Sequence, residues 1–475
     1  MCHFLNEIKN DPTGSRKRQQ ISKIKIIMNV HFIGIGGIGV SALAKYHLVK
    51  GHKVSGSDLV ASEITDLLKK QGTKIFIGKQ KKENLPKNTE VVVYSPAIAE
   101  NNPELKEAKR RGLKIMSYPE VLGFLSKKYY TIAVTGTHGK STTTAMLGLL
   151  LTKAGLDPTV IVGTRLKEFG NSNCRVATSE RRASPEKEIG RGNSNYLVIE
   201  ADEHFASFLN YWPKIIVLTT IEADHLDYWK NIKNLIGGFK KFVGHLTVDG
   251  VLVANRDDEN IRHMTRNLKH VTYYSLRDKE SKKLRKILKV PGEFNVSNAL
   301  AALKVARLLK IPDKVSFKAL SQYRGAWRRF EINHLTRNTQ HVTLISDYGH
   351  HPTEVLVTLE AAREKFKNKK IICIFQPHQY QRTYYLFDNF VRVLRKAPVD
   401  KLIVTDIYDV AGREDKKIKK KVNSKKLVEA ARKKSVIYLP GEKLKSYLVK
   451  NLENGNVLII MGAGNIYDFG KKLFD

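Results

Sequence analysis

Short apolar runs alternate with amphipathic and polar stretches along most of the 475-residue chain. Runs of about five apolar or β-branched residues are typical of buried parallel strands, and the stretches between them are long enough to form helices. From Val342 onward the alternation is continuous, which predicts a doubly wound unit at the C-terminal end. The pattern therefore predicts an α/β protein, and the chain length favours about three domains.

The segment TIAVTGTHGKSTTTAML combines an apolar strand, a glycine turn and the start of a helix. Backbone N–H groups converge at such a turn, and the positive end of the helix dipole strengthens this anion site. Lys140 is expected on the β- and γ-phosphates of a nucleoside triphosphate, with Ser141 or Thr142 on Mg²⁺. The standard phosphate loop is not matched, because Val134 stands where that pattern has a glycine. The predicted cradle consists of Gly136, Thr137, His138, Gly139, Lys140, Ser141 and Thr142.

A second glycine-rich turn follows the first strong strand, in VHFIGIGGIGV. Gly34, Gly36 and Gly39 give the dinucleotide-type spacing, with Gly37 between them, and Asp58 follows about 20 residues after the last glycine. This fingerprint predicts a diphosphate at a helix N-terminus but does not identify the nucleotide, so a nicotinamide-dependent dehydrogenase stays open. Ser95-Pro96-Ala97 ends another strand, where open α/β sheets bind ligands.

Acidic residues follow two apolar strands beyond the phosphate turn. A hard cation such as Mg²⁺ binds one or two protein carboxylates together with phosphate oxygens, and acids at these strand ends are well placed for that. Some of the acids could instead cap helices, which is the alternative for Asp224 and Asp227. The residues at the two strand ends are Glu200, Asp202 and Glu203, and Glu222, Asp224, His225 and Asp227.

Three polar pairs in the second half of the chain are further candidates. Asn295 and Asn298 open a helix with a small-residue apolar face, where they could cap the helix and form a close helix contact, or bind a ligand. Arg328 and Arg329 stand at a predicted domain junction, where they could clamp a phosphate or a carboxylate. The histidine pair in SDYGHHPTE fits no zinc spacing, and we expect it to face a ligand at a strand-to-helix turn.

Composition limits the compartment and the partners. The three cysteines fit no disulfide framework, and no apolar run reaches the roughly 18 residues of a membrane helix, so we expect a cytoplasmic protein without a membrane span. The formal charge of +37 would suit a nucleic-acid-binding protein, but that alternative leaves both nucleotide turns unexplained, and we expect no specific nucleic acid. Residues 1–28 are predicted to be a basic tail and residues 175–195 a surface insertion.

These motifs, taken in chain order, resemble the Mur ligase family from Met28 to the end. HFIGIGGIGVSALA, TGTHGKSTTTAML, EADE, IEADHLD, RRFE, DYGHHPTEV, FQPH and MGAGNI carry the resemblance. It implies a UDP-sugar-binding Rossmann-like domain at 29–126, a central ATP-binding domain with a P-loop-type ATPase sheet at 127–325, and a C-terminal Rossmann-like domain at 326–475.

The resemblance also implies a reaction. ATP and Mg²⁺ would serve to join L-alanine to the lactyl carboxylate of UDP-N-acetylmuramate through an acyl phosphate, in a monomer or homodimer. The N-terminal glycines would then hold the UDP diphosphate, and no nicotinamide would be involved. A related ligase for another amino acid or a peptide is the alternative, and a dinucleotide-dependent oxidoreductase is the less favoured one.

The family pattern implies a role for each predicted site residue of this chain. The UDP-sugar would meet Gly34, Gly36, Gly37, Gly39, Asp58, Ser95 and Pro96. Ser141, Glu200 and His225 would surround Mg²⁺, Asn295 and Asn298 would meet adenine, and Asp347 the ribose. Lys140 would stabilise charge on the transferring phosphoryl group, and Arg328, Arg329, His350, His378 and Arg382 would line the ATP and amino-acid side. The predicted catalytic residues are Lys140, Glu200, His225, His350, His378 and Arg382.

The sequence departs from the family pattern at several positions. His204 and Phe205 follow EADE where Ser-Asp is usual, and Phe294 stands where a histidine is common. Gln379 follows FQPH where the family usually has an arginine, and the acid pair before YGHHPTE is reduced to Ser346-Asp347. These changes leave the implied ATP chemistry intact and leave the preferred amino acid open.

Overall fold

The computed structural model describes residues 27–178, 195–337, 340–410 and 414–472. The predicted basic tail up to residue 26 and residues 179–194 of the predicted insertion lie outside the described residues. Three separate sheets follow one another along the chain, and helices connect most of their strands. The predicted three-domain α/β architecture is therefore confirmed.

The first domain is a five-stranded parallel sheet in the order β3-β2-β1-β4-β5. Alternate residues of β1 enter different apolar clusters, Phe32 one and Ile33 the other, as expected for a sheet buried on both faces. Its elements are β1 (Asn29–Ile33), α1 (Ile38–Val49), β2 (Lys53–Asp58), α2 (Glu63–Lys70), β3 (Lys74–Ile77), β4 (Val91–Tyr94), α3 (Pro103–Arg110), β5 (Lys114–Ser117) and α4 (Tyr118–Lys128).

The second domain is a seven-stranded sheet in the order β12-β11-β10-β6-β9-β7-β8, parallel except for the β7–β8 pair. Its elements are β6 (Tyr130–Thr135), α5 (Lys140–Lys153), β7 (Thr159–Leu166), β8 (Ser172–Arg175), β9 (Tyr196–Glu200), β10 (Ile215–Leu218), α6 (Leu226–Trp229), α7 (Ile232–Val243), β11 (Val251–Asn255), α8 (Glu259–Thr265), β12 (Val271–Tyr274), α9 (Glu280–Ile287), α10 (Glu293–Leu308) and α11 (Asp313–Ser321). The apolar α10 packs on α5, the helix that begins at the phosphate turn.

The third domain is a six-stranded sheet in the order β13-β14-β18-β15-β16-β17, with only β13 antiparallel to its neighbour. Its elements are β13 (Glu331–Arg337), β14 (Gln340–Asp347), α12 (Pro352–Lys365), β15 (Ile371–Phe375), α13 (Tyr380–Tyr385), α14 (Phe387–Lys396), β16 (Lys401–Val404), α15 (Lys416–Lys419), α16 (Ser424–Ala431), β17 (Val436–Tyr438), α17 (Leu444–Asn451), β18 (Val457–Met461) and α18 (Ile466–Lys472). Among the described residues, no helix of any domain is long and apolar enough to cross a bilayer.

Helix α1 fixes the first domain on the second. It packs against β7 and β8, and Lys45 reaches across this contact to donate to Ser172 Oγ and Asn173 Oδ1. Asn173 in turn donates to the Ile38 carbonyl at the start of the helix. The glycine turn before α1 is thereby held at a fixed place beside the central sheet. The chain passes from the first sheet to the second between β5 and β6, and from the second to the third between β12 and β13. The domain boundaries at residues 126 and 325 stay predictions.

Candidate active site

All three domains line one cleft of about 440 Å³. It lies at the carboxyl ends of parallel strands, where ligands bind in sheets of this kind. The predicted residues that border it are Gly37, Gly39, Ser95 and Pro96 of the first domain, Thr137, Gly139, Lys140, Ser141, Glu200 and His225 of the second, and His350, His378 and Arg382 of the third. The structure therefore brings most of the predicted catalytic residues together.

Three residues predicted to bind the UDP-sugar lie behind the cleft wall. Asp58 Oδ2 accepts a hydrogen bond from the Gly36 N–H at 2.8 Å, and the Gly34 N–H donates to the Ser57 carbonyl. Gly34 adopts a φ of +77°, which a residue with a side chain rarely tolerates. These residues shape the turn, while Gly37 and Gly39 present it to the cleft.

The phosphate turn between β6 and α5 depends on two glycines. Gly136 has a φ of +130° and Gly139 a φ of +80°. A Cβ at Gly136 would collide with the Thr219 hydroxyl, and one at Gly139 with the Asn298 amide oxygen. Since the first N–H groups of a helix have no acceptor within it, the tight turn presents those of α5 to an anion.

Lys140 folds back over this turn. Its Nζ donates to the Gly136 carbonyl at 2.7 Å and to Glu203 Oε2 at 2.8 Å. Burial opposes the ammonium charge, but Glu203 and Asp202 hold the pKa of Lys140 above its usual value. Burial also raises the pKa of Glu203 to about 8, against the opposing effect of Lys140. The cationic amine of Lys140 therefore lies beside the phosphate turn, next to the Glu203 carboxyl group, which is easily protonated.

Two groups of side chains with potential metal-ligand oxygen and nitrogen atoms border the phosphate turn, and both suit a hard cation. Ser141 Oγ donates to Glu200 Oε1 at 3.0 Å, and the Gly163 N–H fixes the other oxygen of Glu200 at 2.7 Å. Asp202, Glu203 and His225 place ligand atoms within 4.8 Å of one another. Hydroxyl and carboxylate oxygens beside a phosphate turn fit Mg²⁺. The three predicted metal ligands thus divide: Ser141 and Glu200 touch, whereas His225 lies with Asp202 and Glu203.

The unusual residue His204 packs on the predicted metal ligand His225. The rings of His204 and His225 stack with their centroids 4.1 Å apart. The Phe205 ring also stacks on His204, at the same centroid distance. Burial lowers the pKa of His225 to about 3, although Asp224 opposes the shift. His225 is therefore neutral at pH 7, which is the form that binds metals.

A smaller cavity of about 160 Å³ adjoins the phosphate turn on the other side. Its wall combines apolar Phe294 and Val290 with the polar Asn295, Asn298 and Asp347. The helix-capping alternative for the asparagines is wrong, because Gly292 is the N-cap of α10 and both asparagines are buried inside the helix. An apolar slot with amide groups, next to a phosphate turn, suits a purine base and its ribose.

Adjacent arginines at the domain junction point in opposite directions. Arg328 borders neither cavity and donates to the carbonyls of Gly462 and Gly464, whereas Arg329 borders both cavities. The reason is a turn in which Arg328 has a φ of +55° and Phe330 a φ of +50°, so the alternation of an extended strand does not apply. Arg329, and not Arg328, is therefore the residue of the pair that borders the cleft and the smaller cavity, and a contact of Arg328 with ATP stays a prediction.

Residues of the third domain close the cleft. The His350 Nδ1–H donates to the Tyr348 carbonyl at 3.0 Å, which leaves the lone pair on Nε2. Burial and the nearby Arg382 lower the pKa of His350 to about 3. Burial, with His350 and Arg382, lowers that of His378 to about 2. Both imidazoles are therefore neutral at pH 7, and His350 Nε2 is free to accept, whereas His378 Nδ1 already accepts from Arg382 Nη1.

Contacts between the second and third domains include residues that the sequence did not identify. His138, predicted only as part of the phosphate turn, lies between Glu222 and Glu354. Glu354 belongs to a capping box at the start of α12 together with His351. A Pro-Thr-Glu run after a histidine was the available sequence signal for that cap. Potential metal-ligand atoms of His138, Glu222 and His351 lie within 4.8 Å of one another. The ion pairs of His138 with Glu222 and Glu354 account for this proximity.

Comparison with known proteins supports the architecture and the motifs. The chain matches the Mur ligase family catalytic domain at residues 29–130, the Mur ligase middle domain at 134–306 and the Mur ligase glutamate ligase domain at 328–464. It is 40% identical to a UDP-N-acetylmuramate–L-alanine ligase of Clostridium tetani, over 94% of this chain and 98% of that relative. It is 38% identical to the ligase of the same name from Clostridium botulinum, over 93% and 96%.

Solved structures agree with this assignment. A UDP-N-acetylmuramate-alanine ligase from Thermotoga maritima superposes with a TM-score of 0.74 at 27% identity, covering 94% of this chain and 98% of that one. A murein peptide ligase from Psychrobacter arcticus shares the fold, with a TM-score of 0.69 at 21% identity over 94% and 98%. The resemblance noted in the sequence is thereby confirmed, and the chain belongs to the Mur ligase family.

Proposed function

We propose that the protein is an ATP-dependent ligase that joins the amine of L-alanine to the lactyl carboxylate of UDP-N-acetylmuramate. One observation carries the proposal: the N-terminal glycine turn at Gly37–Gly39 and the phosphate turn at Gly139–Ser141 border the same cleft. Two anion-binding turns on either side of one gap suit a reaction between two nucleotide substrates. The names of the curated relatives describe this activity for those proteins.

The chemistry requires activation of a carboxylate, which is a poor electrophile. Its oxygen attacks the γ-phosphorus of ATP, giving an acyl phosphate and ADP. The amine of alanine then attacks the acyl carbon, and the tetrahedral intermediate expels phosphate. The protein contributes mainly by positioning the reactants and by neutralising charge.

Lys140 is the cation that we assign to the transferring phosphoryl group. Its amine lies at the turn, and its contacts with Glu203, Asp202 and the backbone need to loosen for it to reach a phosphate oxygen. Glu203 can take up a proton when the lysine leaves, because burial raises its pKa and the charge of Lys140 opposes that shift. Ser141, Glu200 and His225 would hold Mg²⁺, which would supply further charge neutralisation on the phosphates.

The nucleoside of ATP is assigned to the smaller cavity. Asn295 and Asn298 would bind adenine, and Asp347 would accept from a ribose hydroxyl. Asp347 is held in place by the N–H groups of Phe330 and Gly349, each 2.7 Å from a carboxylate oxygen. Arg329 stands between this cavity and the main cleft, where it would bind phosphate oxygens.

The amino acid is assigned to the third-domain side of the cleft. The free lone pair on His350 Nε2 would accept a hydrogen bond from the amine, and the neutral His378, whose Nδ1 accepts from Arg382 Nη1, would present its Nε2–H to the amino acid. Arg382 is the cation available to the carboxylate of alanine. The UDP diphosphate would lie at Gly37 and Gly39. We propose a cytoplasmic setting, where ATP and nucleotide sugars are found, and a monomer or homodimer.

The proposal is tested by incubating the protein with ATP, Mg²⁺ and UDP-N-acetylmuramate, then screening single amino acids and a peptide acceptor for phosphate release. We expect release that depends on both the sugar nucleotide and L-alanine, with the product identified by mass. Release with a peptide or another amino acid alone would move the chain to the alternative ligase. Nicotinamide reduction without phosphate release would support the oxidoreductase instead.

A further inference from the structure

The imidazole of His138 bridges two carboxylates from different domains. Its Nδ1 lies 3.3 Å from Glu354 Oε1 of the third domain, and its Nε2 lies 3.4 Å from Glu222 Oε2 of the second. An ionised carboxylate only accepts hydrogen bonds, so both ring nitrogens must donate. The geometry therefore calls for a charged imidazolium. Because His138 is part of the phosphate turn, this contact joins the turn directly to the third domain.

The two carboxylates are themselves fixed by contacts across the same boundary. Thr353 of the third domain donates to Glu222 Oε2 at 2.6 Å. The Glu222 backbone N–H donates to Thr137 Oγ1 at 2.9 Å, which ties the Glu222 loop to the phosphate turn. Glu354 accepts from the N–H groups of His350 and His351, so it reports the position of the first turn of α12.

Other charged and titratable groups surround the bridge without replacing it. His351 donates from Nε2 to the Ala223 carbonyl at 3.2 Å and accepts the Thr353 N–H at Nδ1, so it is satisfied as a neutral ring. Arg329 lies 3.7 Å from Glu354 Oε1, and His350 Nδ1 lies 3.5 Å from Glu354 Oε2. The charge of Asp224 also acts on His351 and opposes the lowering of its pKa. His351 Nδ1 lies 3.7 Å from Glu222 Oε2, and its ring centroid lies 4.5 Å from that of His138. His138 is the ring whose two nitrogens lie within hydrogen-bond distance of both Glu222 and Glu354.

We propose that His138 is a positioning residue that couples docking of the third domain to the shape of the phosphate turn. When the domain docks, Glu354 and Glu222 hold the imidazolium from both sides, and the turn is fixed in the form that places Lys140 two residues further along. When it swings away, Glu354 leaves and the turn loses one of the two contacts. This inference rests on the proposed ligase function only for its kinetic test.

The charge of the bridge has a consequence for pH. Burial opposes protonation, but the hydrogen bonds and charges of Glu222 and Glu354 raise the pKa of His138 to about 9. A raised histidine pKa means that the contact is fully present near and below pH 6.5 and is lost as the pH rises through about 9. Docking should therefore weaken above that pH.

The kinetic test uses three variants of the full-length chain: His138→Gln, Glu354→Gln and the double variant. Glutamine at Glu354 keeps an oxygen that can cap α12 but removes the charge. We expect each single variant to lower kcat at least tenfold while the Kd for UDP-N-acetylmuramate, whose assigned turn lies in the first domain, changes less than threefold. The kcat of the double variant should lie within threefold of the lower of the two single-variant kcat values, because both substitutions break the same contact. His263→Gln is the matched control, since His263 pairs with Glu259 on an exposed helix.

Three results would overturn the inference. They are effects that multiply in the double variant, a raised Kd for ATP with unchanged kcat, and a His138→Gln enzyme with wild-type rates. The ratio of wild-type to His138→Gln kcat should also fall towards one above about pH 9. Hydrogen exchange at residues 350–355, which should be faster in His138→Gln than in the wild type, needs no ligase activity. An inactive wild type with this exchange difference would refute the proposed function and leave the coupling intact.

Discussion

Arg382 of the third domain forms a buried ion pair with Asp224 of the second. Its Nε lies 2.9 Å from Asp224 Oδ1 and its Nη2 3.4 Å from Oδ2, and both side chains are less than a tenth exposed. Arg382 Nη1 also donates to Gln379 Oε1 at 3.1 Å. The cation assigned to the amino-acid carboxylate is therefore held from the opposite domain, so its position depends on how the two domains meet.

Replacing Asp224 with alanine should disrupt this arrangement. Removing one partner of a buried pair leaves an uncompensated charge, at a cost of about 3–5 kcal/mol. The guanidinium would move to water or keep the domains apart, so we expect kcat to fall at least a hundredfold. Binding of UDP-N-acetylmuramate, measured by calorimetry, should change less than twofold, because its assigned turn lies in the first domain. Asp227→Ala, three residues further along in α6, is the control, and an Asp224→Ala enzyme with near-normal kcat would contradict the interpretation.

Gln379 replaces an arginine that is usual in the family, and the structure gives that difference a physical setting. Its backbone φ of +73° and its contact with Arg382 place the side chain at the edge of the cleft. An arginine here would add a second cation for the carboxylate of alanine, and a hydrogen bond to a charged group contributes about 1.5–3 kcal/mol. Repulsion from Arg382 offsets part of this gain.

Gln379→Arg should therefore lower the KM for L-alanine by roughly threefold to tenfold, about 0.7–1.4 kcal/mol, which is less than the full hydrogen-bond energy because of that repulsion. The measurement is initial-rate kinetics with saturating ATP and UDP-N-acetylmuramate. Gln379→Met, of similar length and without charge, serves as the comparison and should not lower the KM. An unchanged KM in the arginine variant would show that this position does not contact the amino acid.

Local patterns predicted the parts of the site that depend on neighbouring residues. A strand, glycines and a helix start are contiguous in the chain, so the turn around Gly139 and Lys140 could be placed from the sequence. The acids at Glu200 and Glu222 followed from the rule that polar residues at the ends of parallel strands meet at one edge. In each case the residues in question lie within a few positions of the feature that identifies them.

Contacts between distant residues could not be predicted in this way. Asp224 and Arg382 are separated by 158 positions, and no local pattern pairs them. Arg328 and Arg329 are adjacent residues of the same type, and their side chains point in opposite directions because of a turn with positive φ at Arg328. In the sequence Glu203 is one acid among several, but its burial in the folded protein raises its pKa. The tertiary structure decides all three, through contacts between domains, a local turn and burial within the second domain.

Lys140→Ala should abolish ligation while the fold and UDP-sugar binding persist. The lysine is the cation assigned to the transferring phosphate, and we expect kcat to fall at least a thousandfold, about 4 kcal/mol of transition-state stabilisation. Glu203 would lose its cation, but burial already raises its pKa to about 8, so it can remain as a neutral acid. The melting temperature and the Kd for UDP-N-acetylmuramate test the fold. Lys153→Ala, at the exposed far end of α5, is the control, and loss of UDP-sugar binding in Lys140→Ala would contradict the assignment.

Acidification should weaken nucleotide binding through Asp347. Burial raises the pKa of this carboxyl to about 6, against the opposing effect of Arg329 and two backbone N–H groups. Above that pH the carboxylate can accept from a ribose hydroxyl, and below it the proton competes. If only the ionised form binds, affinity for ADP falls about tenfold per pH unit below the pKa. Titration calorimetry between pH 7.5 and pH 5 measures this on the wild type and on Asp347→Asn. The phosphates of ADP titrate equally in both, so the ratio of the two affinities isolates Asp347, and a ratio that stays constant would remove the residue from the ribose site.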